Sequence, residues 1–130
     1  MKLIIEGRLP GLNEYIKAER GNKYSAAKLK QDTQTLIGSY IIGMYEMPQI
    51  TEPVIMHYLW VEPNTRRDKD NICFARKFIQ DSLVEIGILQ GDGWKHIIGF
   101  TDNFAVDKDN PRIEVEIEAA ESPYEEEQDD

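Results

Sequence analysis

Apolar positions along this chain recur first with a period of two, then of about 3.6, and return to two near its end. Residues 2–9 read as a first strand, stopped by the turn pair Pro10-Gly11. Asn13 is placed to cap a short helix over residues 14–20, which Gly21-Asn22 breaks. From residue 25 to about 45, Leu29, Leu36, Ile37, Tyr40, Ile41 and Met44 recur at helical spacing, with Lys28, Lys30, Gln31, Asp32 and Gln34 facing out. Residues 54–61 alternate Val54, Met56, Tyr58 and Trp60 against Ile55, His57, Leu59 and Val61. Both sets are largely apolar, which predicts a central strand covered on both sides.

A third helix is expected over residues 71–86. Ile72, Ala75, Ile79, Leu83 and Ile86 would form its buried stripe, widened by Phe74 and Phe78, with Gly87 as a left-handed C-cap. Residues 96–106 and 112–118 read as the closing strands; in the second, Ile113, Val115 and Ile117 alternate with Glu114 and Glu116. The order β-α-α-β-α-β-β predicts an α+β domain whose mixed sheet is packed by helices. Residues 1–118 would make that domain, and the acidic segment 119–130 a disordered tail.

Composition narrows the class. At 130 residues the chain suits one domain with a real core. It holds no apolar run long enough to cross a membrane and no secretory signal pattern at its start. The single cysteine, Cys73, excludes an internal disulfide and a Cys-rich zinc site, and reads as a small apolar filler. Together these suggest the cytoplasm. The net charge of -9 argues against a polyanion partner only until its distribution is considered. Seven of the 24 acids lie in residues 118–130 with no Lys or Arg, leaving 17 against 15 bases elsewhere. Residues 17–30 carry Lys17, Arg20, Lys23, Lys28 and Lys30 against Glu19 alone, accompanied by Asn22 and Tyr24. A local patch, not the net charge, decides whether a polyanion docks.

The chemistry-bearing stretch is Arg66-Arg67-Asp68-Lys69-Asp70-Asn71, followed by a helix and then Gly91-Asp92-Gly93. Carboxylates two residues apart repel unless a cation joins them, and hard divalent cations take such oxygen ligands. Acids to hold a metal and bases to hold phosphates are what phosphodiester hydrolysis needs. Asp68 and Asp70 can also be read as a solvated loop and a helix N-cap, and Asp92 as a turn residue. An EF-hand fails because Ile72 and Phe74 fall where oxygen ligands are required. The Asp-x-Asp-x-Thr pattern of phosphatases fails because Ile72 fills the hydroxyl position. His57, on a strand between Ile55 and Leu59, reads as a satisfied buried histidine rather than a base.

The Arg-Arg-Asp-x-Asp-Asn run, the helix carrying a Lys, Gly87-Ile88 and the Asp-containing turn together resemble the RusA-type Holliday-junction resolvases. The likeness extends to Leu9-Pro10-Gly11-Leu12-Asn13 and to the closing strands, covering most of residues 3–117. It implies a magnesium-dependent endonuclease, with manganese as a substitute, that resolves four-way junctions as a homodimer in DNA recombination and repair. It also implies that Asp68, Asp70 and Asp92 bind the metal and that a helix lysine assists at the phosphate. The family lysine often lies one turn after the second aspartate, where this chain has Phe74; counting back one turn from Asp81 gives Lys77 instead. Lys77 could equally pair with Asp81 on the helix surface. The turn commonly holds two adjacent acids, where this chain has Gly91-Asp92. Arg66, Arg67, Lys69, Arg20, Lys23, Lys28 and Lys30 would grip phosphates without reading sequence. The alternatives are a nuclease preferring other branched DNA such as flaps, and a non-catalytic branched-DNA binder with the same fold.

Overall fold

The computed structural model describes residues 1–44, 46 and 48–124. Its elements run β1 (Lys2–Glu6), α1 (Leu12–Gly21), α2 (Lys23–Ile42), β2 (Val54–Glu62), α3 (Lys69–Cys73), α4 (Arg76–Ile86), β3 (Ile97–Val106) and β4 (Arg112–Ala119). This is a small α+β fold. Its four strands lie in the order β1-β4-β2-β3. β4 is antiparallel to both β1 and β2, and β3 runs parallel to β2, so the sheet is mixed. The parallel pair needs a crossover, which α3 and α4 supply.

One core lies between the helices and one face of the sheet. Leu3 and Ile5 of β1, Met56, Tyr58 and Trp60 of β2, and Ile113 and Val115 of β4 pack there against Ile37, Ile41, Ile79 and Leu83 of the helices. Each strand contributes alternate residues, as the pleat requires. Asn22 caps α2 by accepting the Ser25 N–H at 2.9 Å, and Gly87 ends α4 with φ 94°, the left-handed value expected of it.

Three expectations are corrected. The helices cover only one face of β2; on the other, Ile55, His57 and Leu59 are partly exposed. That open face is screened by long side chains instead. The ladder places Arg112 opposite Val61 and Glu114 opposite Leu59, and Glu114 joins Lys2 at 2.7 Å and Arg112 at 2.9 Å. Within these pairs the Glu114 side chain is only 16% exposed and that of Arg112 24%, against 55% for Lys2. The His57 ring is satisfied there, by Thr101 at 2.8 Å and Glu118 at 2.6 Å.

The second correction is that residues 71–86 do not form one helix. Ala75 N–H reaches the Ile72 carbonyl and Lys77 N–H the Phe74 carbonyl, each one residue short of the α-helical partner. That tightened turn separates α3 from α4. Asp70 and Lys77 therefore do not share the face of a continuous helix. Third, α1 starts at Leu12 with Gly11 at the N-cap position, earlier than Asn13 suggested. Tyr45, the expected end of the second helix, and residues 125–130 of the acidic segment lie outside the described residues.

Candidate functional site

The loop that follows β2 is held by two ties, and both reach the start of α1. The first is Glu62, the last residue of β2 and only 6% exposed. Its carboxylate accepts Nε and Nη2 of Arg67, each at 2.9 Å, and Nη2 of Arg8 at 3.2 Å. Arg67 also donates Nη1 to the Leu9 carbonyl at 3.0 Å and stands 3.6 Å from Glu14 of α1. A two-pronged guanidinium–carboxylate contact fixes orientation as well as charge. The backbone immediately before Asp68 is thereby anchored.

The second tie is Asn71. Its Oδ1 accepts the backbone N–H of Asn13 at 2.9 Å, capping α1 from across the fold. Gly11, at the N-cap position, has no side chain for that task. What Gly11 supplies is space. A Cβ there would stand 2.5 Å from Asn71 Oδ1 and 2.6 Å from the Asn71 carbonyl oxygen. Leu9-Pro10-Gly11-Leu12-Asn13 and Asp68-Lys69-Asp70-Asn71 are thus one packed unit.

Asp68 and Asp70 project from this frame. Asp68 occupies the N-cap position of α3, yet its side chain makes no capping bond. Asp70, in the first turn, accepts its neighbour Asn71's N–H on Oδ1 at 2.9 Å. Both are exposed and line one open cleft of about 700 Å³ with Glu62, Asn64, Lys69 and Phe104. Among the described residues neither carboxylate makes an ion pair. Two uncompensated acids facing the same solvent space repel, and a cation between them would relieve it.

Asp92 lies elsewhere. It is not part of that cleft: its Oδ2 accepts Lys77 Nζ at 2.9 Å, and Lys77 also reaches Asp81 at 2.9 Å. Lys30 of α2 stands 3.7 Å from the other oxygen of Asp81. The bonds to Asp92 and Asp81 raise the Lys77 pKa, and the bond from Lys77 lowers that of Asp92. Among the described residues, no three His, Cys, Asp or Glu side chains are grouped to hold a metal ion. What fits magnesium is the Asp68–Asp70 pair alone, since this ion is often held by one or two carboxylates, with water and substrate phosphate completing its octahedron.

The expected phosphate grips divide by whether they are already engaged. Arg67 is committed to Glu62 and Leu9, Lys28 pairs with Asp32 at 3.1 Å, and Lys30 with Asp81. Arg66 and Lys69 are exposed, and among the described residues neither side chain makes an ion pair; Lys69 lines the cleft with its Nζ 5.7 Å from the centroid of the Phe104 ring, and the Arg66 backbone N–H donates to Asn64 Oδ1 at 3.0 Å. Asn13, Lys17 and Arg20 line a second, shallow cavity of about 370 Å³ along α1. At roughly 1.5 Å rise per residue, that stripe extends about 10 Å from the point where Asn71 caps the helix. Lys23 lies over the ring of Tyr24, which is 74% exposed.

Several residues of the site escaped the sequence reading. Glu62 ends an apolar strand, and an acid there followed by Arg66-Arg67 was the available signal. Asp102 of β3 accepts Trp60 Nε1 at 2.7 Å and pairs with Arg76 of α4. No local pattern announces that bridge, because its members come from three elements. Cys73 is half-buried and its thiol pKa is raised by that burial, in keeping with a filler role. No family model and no curated protein matches the chain. No helix among the described residues is long and apolar enough to cross a membrane.

Proposed function

We propose that this protein is a metal-dependent endonuclease acting on branched DNA, with four-way junctions as its preferred substrate. The observation that carries the reading is the pair Asp68 and Asp70, open to one cleft that Lys69 also lines and free of ion pairs among the described residues. Magnesium held there would polarise a phosphodiester and lower the pKa of a bound water. The chain's own part is to hold two carboxylates still. Glu62 and Arg67 fix the approach to Asp68, and Asn71 fixes the backbone after Asp70. Arg66, Lys69, Lys17, Arg20 and Lys23 supply positive charge for phosphates on either side of the cut, which positions DNA without reading bases.

Asp92 and Lys77 enter through the family likeness, Asp92 as a further ligand and Lys77 as the group that steadies charge at the phosphate. In the structure they bind each other. Paired cuts across a four-way junction call for two such sites, hence a homodimer. A second reading, a junction binder without turnover, is favoured by the Lys77–Asp92 bond, which leaves Asp68 and Asp70 as the cleft's two acids without an ion pair among the described residues, rather than three.

The test is a labelled synthetic junction incubated with and without magnesium. Cleavage that needs the metal and is lost in Asp70→Asn is the expected result. Cleavage by Asp70→Asn at the wild-type rate would sink the nuclease assignment, and a gel shift without cleavage would establish the binder.

A further inference from the structure

Asn71 stands between the cleft and the first helix and is bonded to both. Its N–H is accepted by Asp70 Oδ1 at 2.9 Å, and its own Oδ1 accepts the Asn13 N–H at 2.9 Å. Asn71 is only 9% exposed, and Gly11 closes over it with no room for a Cβ. One nearly buried side chain therefore joins a carboxylate of the cleft to the first turn of α1.

That helix depends on such ties more than the others do. None of its ten residues is buried, whereas α2, α3 and α4 each bury residues of their own. It leans on Phe74 and Phe78 through Tyr15, with ring centroids 5.4 and 6.3 Å apart. Its first turn is held by Asn71 and Arg67, both from the segment that carries Asp68 and Asp70. Asn13, Lys17 and Arg20 share one helix face, and among the described residues Lys17 and Arg20 make no ion pair. At roughly 1.5 Å rise per residue, Arg20 lies about 10 Å beyond the cap. One strand of duplex DNA rises about 3.4 Å per nucleotide, so this is the length of about three nucleotides.

We propose that Asn71 is a positioning residue that sets where DNA is cut. By holding Asp70 and α1 in one frame, it fixes the number of nucleotides between the hydrolysed phosphate and the phosphate gripped by Lys17 and Arg20. The proposal rests on the nuclease reading and adds what determines the cut position. A side chain that only braced the fold would affect stability alone. One that joins a reacting carboxylate to a phosphate grip also governs rate and register, because misplacing a reacting group by about 1 Å costs rate while the grip itself stays intact.

The test uses the full chain and a four-way junction labelled on each strand in turn. It is cut with magnesium well below the melting point of each variant, and the products are mapped at single-nucleotide resolution. Asn71→Leu keeps the size and removes the acceptor. Asn71→Asp keeps an acceptor, with a charge that a helix N-terminus favours. In Asn71→Leu kcat should fall about 10- to 100-fold, the range for losing a partner that orients a metal ligand. KM should stay within about twofold, since Lys17 and Arg20 remain. Its cuts should spread from the wild-type phosphate to the neighbours, while Asn71→Asp keeps the wild-type position. Amide hydrogen exchange without metal or DNA reads the tie itself: the Asn13 N–H should be protected in wild type and Asn71→Asp, and exchange freely in Asn71→Leu. Arg20→Ala, a change on an exposed helix face, decides the matter where Asn71→Leu does not fold, and it too should spread the cuts.

Folded Asn71→Leu that cuts only at the wild-type phosphate would overturn the proposal and leave the nuclease standing. So would an unchanged cut position in Arg20→Ala, or Asn71→Asp that blurs the cut as Asn71→Leu does. Free exchange of the Asn13 N–H in wild type, or a wild type with no fixed cut position, would have the same consequence. Wild type that cuts no DNA would remove the nuclease reading and this proposal together.

Discussion

Two acidic regions of this molecule look alike in sequence and differ in charge balance. Asp68 and Asp70 face an open cleft, and the Arg67 guanidinium that also lines it is turned onto Glu62. Asp81 and Asp92 stand on the flank of α4, where Lys77 bridges them and Lys30 approaches from α2. The flank has its counter-charges built in; the cleft does not. A cluster balanced by lysine is a finished ion-pair network, whereas an unbalanced pair on a rigid loop is a place for a cation to come and go. This is why the nuclease reading rests on the cleft.

The contrast is broken most directly by exchanging the two regions' acids. Asp70→Asn should abolish magnesium-dependent cleavage, a loss beyond the ~100-fold that removal of an outer-shell partner of a metal site costs. Asp92→Asn made in parallel decides whether the flank belongs to the same centre. If it merely closes a network, junction cleavage persists; an equal loss in both variants would erase the distinction.

The next largest effect concerns the frame. Glu62→Gln leaves Arg67 and Arg8 without their carboxylate in a nearly buried place, and about 3 kcal/mol of stability should be lost. Urea denaturation measures it, and an unchanged midpoint would show that Glu62 does not hold the loop. Gly11→Ala tests the second tie. Its Cβ meets Asn71 at 2.5 Å, and such overpacking costs about 1–3 kcal/mol. The same experiment would show it, and Asn71→Ala combined with Gly11→Ala should not recover the loss, because the Asn71 backbone carbonyl oxygen still stands 2.6 Å from the added Cβ and the cap on Asn13 is gone.

The smallest effect belongs to the flank itself. Lys77 and Asp92 are well exposed, their side chains 60% and 38%, so Lys77→Met should cost only about 0.2–1 kcal/mol. The bond from Lys77 depresses the Asp92 carboxyl below its ordinary 3.8. The pair's contribution is therefore whole above that value and fades as pH falls through the depressed one. At the alkaline end the Lys77 amine is raised above 10.5, so the contribution is whole below that value and is lost as pH rises past the raised one. Carboxyl titration by NMR should find Asp92 low in wild type and returned toward 3.8 in Lys77→Met; no movement would mean that the bond is absent in solution.

Much of the fold was legible because period and burial agree. The alternation of β4 and the stripe of Leu83 and Ile79 each predicted the face that is buried. The apolar second face of β2 misled, because a strand flanked there by Arg112 and Glu114 of β4 has the same composition as one covered by a helix. The break between α3 and α4 left no trace, since Ile72, Ala75 and Ile79 keep helical spacing across it. Within the site, Asp68 and Asp70 stood out because adjacent carboxylates need a reason. Asn71 and Glu62 did not, because what they do depends on Asn13 and Arg8 respectively, more than fifty residues away in each case. Asp92 was placed in the right connection, but spacing alone does not say which lysine it will meet.

The sheet order also sets a timetable. β4, the last strand to be synthesised, lies between β1, the first, and β2. Until residues 112–119 arrive, the opening strand has no neighbour and the middle one lacks half of its ladder. The helices can form early from local bonds, but sheet closure must wait for contacts that span nearly the whole chain, the slow kind of step in a small domain. A nascent chain halted before Arg112 would expose β1 unpaired and one open edge of β2, and aggregation of such truncations, against solubility of the full chain, would be the visible sign.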